Sequence, residues 1–556
     1  MSRTPRPVRK IAALALLCLA AAAVPALTSG TSTAATATAP TYTEYDLGFD
    51  GGEPVLGYDG QHGVFYGAGT TILRLNYQGT KLVKTDVTPE FSPTTLDTIV
   101  VSDPRTGRTF VSYLALACSV MAYTDDGGEA WHQSTGCGAA AAVDHQTVGA
   151  GPVHAPLTTG VGYDGSVYYC AQDAFNGQCS VSLDGGVTFA PAVPVANTPA
   201  NLVGHPFGGA CSALHGHLRV APDGTAYLPL KGCDGVPTTN NLTNSEFFGG
   251  RPSLTVSEDN GATWQVRLGP ATAKNPDESD PSVAIGPKGT VYFGWQDGTN
   301  PTDALGGDET AAKVATSSDG GKTWSTPIDL STPLGLHNVQ FPEMIVGDDD
   351  RAAFSFIGTP GIGNDQDNAF RGDWHLYVAT TYDAGKTWTT VDATPTNLIN
   401  RGCVHMLGLA PGSQRTDNCD YRNMLDFNDI VVDGDGRVFV AYTDACAKEC
   451  SAPGGTNADS NREMVVRLTC GRGLYAAKDA VIAATPGCSG TTVVEQPGTK
   501  TGGTKGTTGS TGSTGGTKGG GTPAMPATGL PAGIALVGAV LAGAAVGVRR
   551  LRRHEA

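Results

Sequence analysis

The sequence predicts an all-β protein: a β-propeller of four-stranded blades, seven in number with six as the alternative, followed by a disordered stalk and one C-terminal transmembrane helix. Three observations carry this. An eight-residue turn pattern recurs five times, a strand–turn–strand unit recurs seven times, and the composition is that of a turn-rich chain. Of 556 residues, 40% are hydrophobic, only 16% are charged, and 76 are Gly, which suits short strands and tight turns better than helices.

Residues 1–39 read as a secretion signal. Arg3, Arg6, Arg9 and Lys10 precede an apolar run from Ile11 to Val24, and small-residue sites follow at Val24-Pro25-Ala26 and Ala37-Thr38-Ala39. The run is short for a full membrane span. Of 13 cysteines, Cys18 lies in this run, which leaves an even number in the exported part. An even count in an exported chain points to disulfides rather than metal or redox chemistry. Their near-neighbour spacing predicts Cys118–Cys137, Cys170–Cys179, Cys211–Cys233, Cys403–Cys419, Cys446–Cys450 and Cys470–Cys488, with Cys446 and Cys450 free to exchange partners.

Residues 40–488 form the propeller. The octet runs Ser/Thr-x-Asp-x-Gly-x-x-aromatic, at Thr124–Trp131, Ser182–Phe189, Ser257–Trp264, Ser317–Trp324 and Thr381–Trp388. Its chemistry is that of a self-contained hairpin turn. Asp126, Asp184, Asp259, Asp319 and Asp383 can each accept hydrogen bonds from the turn's own amides. The Gly supplies a positive φ, and the aromatic ring covers the hairpin base.

The second repeat is an apolar strand, an Asp/Gly turn and a strand rich in Tyr and Phe. It begins at Gly57, Val100, Val161, Val220, Val283, Met344 and Ile430. Strand pairs spaced by roughly 60 residues, with turns between, fit four-stranded blades. The first and last units lack the octet, as expected where the termini close the ring.

The formal net charge is −16, and the basic residues at the two ends dilute it, so the part between is more acidic still. Such a surface repels nucleic acid and anionic lipid, which excludes both as partners of the ectodomain. Residues 489–524 are rich in Gly, Thr and Lys and cannot bury a core, so they form a flexible stalk. Fully extended, it would reach on the order of 100 Å.

Residues 525–556 hold Met525-Pro526-Ala527-Thr528-Gly529, an apolar run from Leu530 to Val548, and a tail with Arg549, Arg550, Arg552 and Arg553. This order resembles a Gram-positive sortase substrate, with Met525 where the usual Leu-Pro-x-Thr-Gly motif has Leu. The resemblance implies cleavage between Thr528 and Gly529 and attachment of Thr528 to peptidoglycan. A plain C-terminal membrane anchor is the alternative, and either places the domain in the cell wall or on the outer face of the membrane.

Asp-boxes in a propeller resemble the sialidase, or BNR-repeat, superfamily from about Tyr42 to Cys470. The segment Arg422–Asp429 leading into Val438–Tyr442 is similar to the last blade of exo-α-sialidase-like proteins. In that superfamily the boxes are scaffold, away from the catalytic face. Its enzymes clamp a sugar carboxylate with three arginines, the first in an Arg-Ile-Pro motif. Here no Arg-Ile-Pro occurs; Arg74-Leu75-Asn76 is the nearest counterpart, and Arg251, Arg371 and Arg422 are candidate clamp members.

Aligning the inner strands on their turns brings unusual polar residues to the strand starts, where a propeller's central channel opens. These are Asp97, Asp144, His145, His217, Asp280, Glu343, Asp426 and Asp429. Apolar residues are the default on a buried strand. Such a ring could hold Ca2+, supply an acid/base pair, or merely line a solvated channel. His215-Gly216-His217 has metal-like spacing without a third ligand nearby in the sequence. Asp433-Gly434-Asp435-Gly436 reads as a turn between blade strands, and residues 358–367 as an insertion overhanging one face. The expectation is a secreted, surface-anchored and monomeric propeller that needs no cofactor. It binds a glycan or a surface protein at its central face, with exo-acting glycoside hydrolysis as the alternative.

Overall fold

The computed structural model describes residues 39–488, apart from 94, 96, 116–117, 136–143, 159–161, 173–176, 197–210, 212–213, 234–250, 275–278, 300–308, 368, 405–423, 447–449 and 451–460. The side chains of Ala115, Cys118 and Asp144 are also outside this description. Residues 1–38 and 489–556, which hold the predicted signal, stalk and anchor with Thr528 and Gly529, lie outside the described residues. Among the described residues no helix is long and apolar enough to cross a membrane.

Seven antiparallel sheets follow one another along the chain, and each supplies a blade of at least four strands. The innermost strands are Val55–Tyr58, Thr98–Asp103, Asp144–Gly151, Arg219–Val220, Ser282–Ile285, Asn338–Val346 and Asp429–Val432, which we number as blades 1 to 7. Six of the predicted strand–turn–strand units fall on the first two strands of a blade; the third, predicted from Val161, reaches only the second strand of blade 3, Ser166–Gln172, because the inner strand Asp144–Gly151 lies further upstream. Blade 6 carries an additional strand, Asn400–Arg401, paired with Asp373–Thr381. Asp433 to Gly436 form the turn before Val438–Asp444, where the Asp433 carboxylate accepts the Asp435 and Arg437 amides, both at 2.9 Å.

The N-terminal strand Thr41–Asp50 is the outermost strand of blade 7, paired with Arg462–Cys470. Ring closure therefore staples the first described residues to the last blade. This closure ties the start of the ring to its last blade through a backbone ladder.

All five octets sit at the turn between the third and fourth strands of blades 2 to 6. In each, the Asp carboxylate accepts the amide four residues on, at 2.8–2.9 Å. The leading Ser or Thr hydroxyl donates to the same carboxylate and accepts the Gly amide, for example at 2.7 and 2.8 Å in Ser182-x-Asp184-x-Gly186. Two successive residues are left-handed, such as Gly185 (φ 76°) and Gly186 (φ 87°).

The Gly also allows blades to approach: a Cβ at Gly128 would stand 2.7 Å from Val87 of the preceding segment. The aromatic residue reaches across the same gap. Trp131 Nε1 donates to Val87 O at 2.7 Å and Trp324 Nε1 to Leu268 O at 2.9 Å, while Trp264 packs edge-on against Tyr168. The octet thus joins neighbouring blades as well as covering its own hairpin.

The cores lie between facing blades, where Phe65, Phe110 and Tyr113 cluster on one side of the ring and Trp374, Val440 and Tyr442 on another. Four disulfides match the predicted pairing: Cys170–Cys179, Cys211–Cys233, Cys446–Cys450 and Cys470–Cys488. Cys403 is disulfide-bonded; Cys137 and Cys419 lie outside the described residues. Local disulfides of this kind belong to an extracellular or secreted protein.

Candidate functional site

The inner strands start around the propeller axis, and several carry a left-handed residue just there. His145 (φ 55°) and Phe341 (φ 57°) sit in bulges of the inner strands of blades 3 and 6, and Leu425 (φ 58°) precedes that of blade 7. A bulge re-aims the next side chains and concentrates strain where a site is built. After these bulges the chain presents Gln146 and Glu343 toward the axis.

The approach of blade 4 depends on Gly216. A Cβ there would stand 2.2 Å from Pro281 O, so only Gly lets this segment lie against blade 5. Its register is held by Gly216 N donating to Pro229 O at 3.0 Å and Leu218 N to Thr147 Oγ1 at 3.1 Å. The extended segment from the His215 bridge into the strand Arg219–Val220 brings His217 and Arg219 to the same carboxylate of Asp429.

The result is a buried polar cluster. His217 Nδ1 stands 3.5 Å from Glu343 Oε1 and 3.6 Å from Asp429 Oδ1. Arg219 Nη2 stands 3.5 Å from Asp429 Oδ1 and 4.0 Å from Glu343 Oε2. Beside this group His145 Nε2 contacts the Asp280 carboxylate. His145, Gln146, His215, Gly216, His217, Asp280, Glu343 and Phe427 line a cavity of about 10 Å³, room for about one water molecule.

Burial and mutual charge set the protonation states. Burial pushes the Glu343 carboxyl well above the usual carboxylate range, with His217 and Arg219 opposing and Asp429 adding to the rise. For Asp429, burial acts upward too, but His217, Arg219 and the Leu56 amide overcome it and hold the group low. Burial works against charge on His217, yet Glu343 and Asp429 override it and raise the imidazole. For His215, burial followed by the charge of His145 outweighs the opposing pull of Asp280 and lowers it to about 3. Asp280 is held low against its burial chiefly by His145.

Of the residues singled out from sequence, the structure brings together His145, His217, Asp280, Glu343 and Asp429. Asp97 is partly exposed and offers its backbone carbonyl to Gln146 Nε2 at 2.7 Å. Asp426 is partly exposed and does not line the cavity. Asp144 begins the inner strand of blade 3. The candidate arginines are placed differently. Arg251 starts the third strand of blade 4 and donates to Gly269 O at 3.4 Å; Arg371 precedes the third strand of blade 6 and donates to Phe370 O at 2.7 Å. Arg422 lies outside the described residues, and Arg74 donates to the blade 2 octet at Gly127 O.

Among the described residues, the arginine beside Glu343 and Asp429 is Arg219, which no motif marks. Its signal in the sequence was the alternation His215-x-His217-x-Arg219 on a strand. The insertion after Gly358 folds back over blade 6, where Asn338 Nδ2 donates to Gly361 O and Gly363 O at 3.0 and 2.8 Å. It buries Asp365, which accepts from Gln340 Nε2 at 2.9 Å.

No family model matches the chain, and no curated protein does. Solved structures share the propeller at low similarity. A protein of unknown function from Dyadobacter fermentans is 13% identical, covering 77% of this chain and 100% of its own, with a TM-score of 0.39. The Hadza microbial sialidase Hz136 is 12% identical over 73% of each chain, with a TM-score of 0.36. An ulvan lyase of polysaccharide lyase family 25 is 11% identical, covering 76% of this chain and 95% of its own, with a TM-score of 0.40. These likenesses concern the fold, and what the site does is argued from its own residues.

Proposed function

We propose that this chain is a secreted, surface-displayed binding protein whose propeller engages a glycan or protein ligand at its central face. The observation that supports binding over hydrolysis is the mutual packing of the charged groups at the axis, where His217 lies beside Glu343 and Asp429 and Arg219 beside Asp429. These groups pair with one another rather than standing ready for a substrate. Surface display rests on the signal, stalk and anchor segments of the sequence.

One observation favours glycoside hydrolysis as a second reading. Glu343 is held high and Asp429 low, and their nearest ligand oxygens lie within 4.8 Å, the pattern of an acid beside a carboxylate nucleophile. The two readings separate on a glycan array, a surface-protein pull-down and a fluorogenic sialoside assay. Saturable binding without turnover supports the binding reading. Hydrolysis by the native chain that disappears in Glu343→Gln would overturn it.

A further inference from the structure

We propose that His217, Glu343 and Asp429 form a site for one divalent transition-metal ion of the zinc class, with the adjoining cavity holding its bound water. The three side chains come from blades 4, 6 and 7, and all are buried. Their candidate ligand atoms, His217 Nδ1 and one oxygen of each carboxylate, lie within 4.8 Å of one another.

The spacing is that of ligands rather than of hydrogen bonds. An N–H···O bond spans ~2.7–3.2 Å. His217 Nδ1 is 3.5 Å from Glu343 Oε1 and 3.6 Å from Asp429 Oδ1. Ligand atoms held ~2.0–2.2 Å from a tetrahedral ion stand roughly 3.3–3.6 Å apart. His217 therefore stands from each carboxylate at the distance that a common ion requires, and the ligand oxygens of the two carboxylates lie within 4.8 Å of each other.

A second, independent observation points to what completes the coordination. His215 Nε2 and Asp280 Oδ1 are buried with no hydrogen-bond partner, and both residues line the water-sized cavity beside the cluster. His215 Nδ1 faces Gly216 O at 3.2 Å, which assigns its proton to Nδ1 and leaves Nε2 as an acceptor. Two unfilled acceptors around one water-sized space suit a water that must donate both its hydrogens. A metal-bound water does so, because its lone pair is committed to the ion.

The oxygen and nitrogen set decides the class of metal. Ca2+ takes six to eight oxygens and Mg2+ a near-octahedral oxygen shell, so a histidine with two carboxylates and one water fits neither. Zn2+ accepts this set in four-coordinate form, and Mn2+ binds such ligands more weakly. This revises the calcium expectation read from the ring of carboxylates.

The test uses the untagged, secreted chain, stripped with EDTA and titrated calorimetrically with Zn2+, Mn2+ and Ca2+. The expected result is one equivalent of Zn2+, weaker Mn2+, and no displacement of Zn2+ by ~100-fold excess Ca2+. Glu343→Gln and Asp429→Asn should each weaken Zn2+ binding more than ~100-fold, since even outer-shell changes cost 10–100-fold. Near-UV circular dichroism of the metal-free variants checks that they fold. Should either variant unfold, Co2+ bound to the native chain reports the site through the visible absorption of a four-coordinate centre. Absence of stoichiometric Zn2+ binding, unchanged affinity in a folded Glu343→Gln, displacement by Ca2+, or a six-coordinate Co2+ spectrum overturns the proposal.

Discussion

The Asp429 carboxylate accepts the backbone amide of Leu56 at 2.8 Å, joining the inner strands of the last and first blades. Two other blade junctions use the same device with a hydroxyl, Thr147 Oγ1 accepting from Leu218 N and Ser282 Oγ from Met344 N. Asp429 therefore has two duties. It closes the ring, and it turns its other oxygen toward His217 and Arg219.

Substitution should separate these duties. Asp429→Ala leaves a buried amide unmet and two cations without their carboxylate, for an expected loss of about 3 kcal/mol in urea unfolding. Asp429→Asn keeps an acceptor and should lose about half as much. Equal losses for the two variants would show that the Leu56 bond contributes little.

The octets predict a different response. In blade 3, the Asp184 carboxylate accepts from Ser182, Thr188 and the amides of Val187 and Thr188. Asp184→Ala should cost about 1–3 kcal/mol. Those bonds also hold the Asp184 carboxyl below its ordinary value against the effect of burial. A depressed folded pKa gives stability that is present above the unfolded value of 3.8 and lost as pH falls through the folded one. The acid limb of the native chain should therefore fall more steeply than that of the variant, as thermal melts between pH 5 and pH 2 would reveal.

Ala384 occupies the octet position that is Gly127, Gly185 or Gly320 elsewhere, at φ 62°. A left-handed Ala costs ~1–2 kcal/mol, and Gly gives back ~0.5–1 kcal/mol in chain entropy. Ala384→Gly should stabilise the protein by about 0.5–1 kcal/mol. A lower urea midpoint would contradict this.

Glu463 is fully buried in the closing blade, where Tyr66 and Thr443 donate to its carboxyl. Burial outweighs those donors and pushes its pKa up to about 8, from 4.5 in the unfolded chain. Between these values folding must take up a proton, so stability falls as pH rises, by up to about 1.4 kcal/mol per unit. Glu463→Gln needs no proton. Its melting temperature should gain on that of the native chain from pH 5 to pH 8, and a constant difference would rule the linkage out.

What the sequence determined by itself was local. The strand–turn–strand units, the octets and the near-neighbour cysteines each concern residues a few positions apart, where turn chemistry and alternation act directly. They were enough to point to seven blades, with six as the alternative, and to four disulfides that the structure shows. Polar residues at the strand starts also stood out, because Glu343 and Asp429 occupy positions that a buried strand normally fills with apolar side chains.

Which of those residues meet was decided by the tertiary structure. Ring closure brings blades 4, 6 and 7 to a common axis. Bulges at His145 and Phe341, and the glycine contact at Gly216, decide which side chains face it. Arg219 enters the cluster, while Arg251 starts the third strand of blade 4, Arg371 precedes that of blade 6, and Asp97 and Asp426 lie off the cavity. No local pattern encodes these outcomes, since each depends on the spacing of strands far apart in the chain. The sequence marks polar residues on inner strands, and only closure of the ring sets His217, Glu343 and Asp429 at the distances on which their chemistry depends.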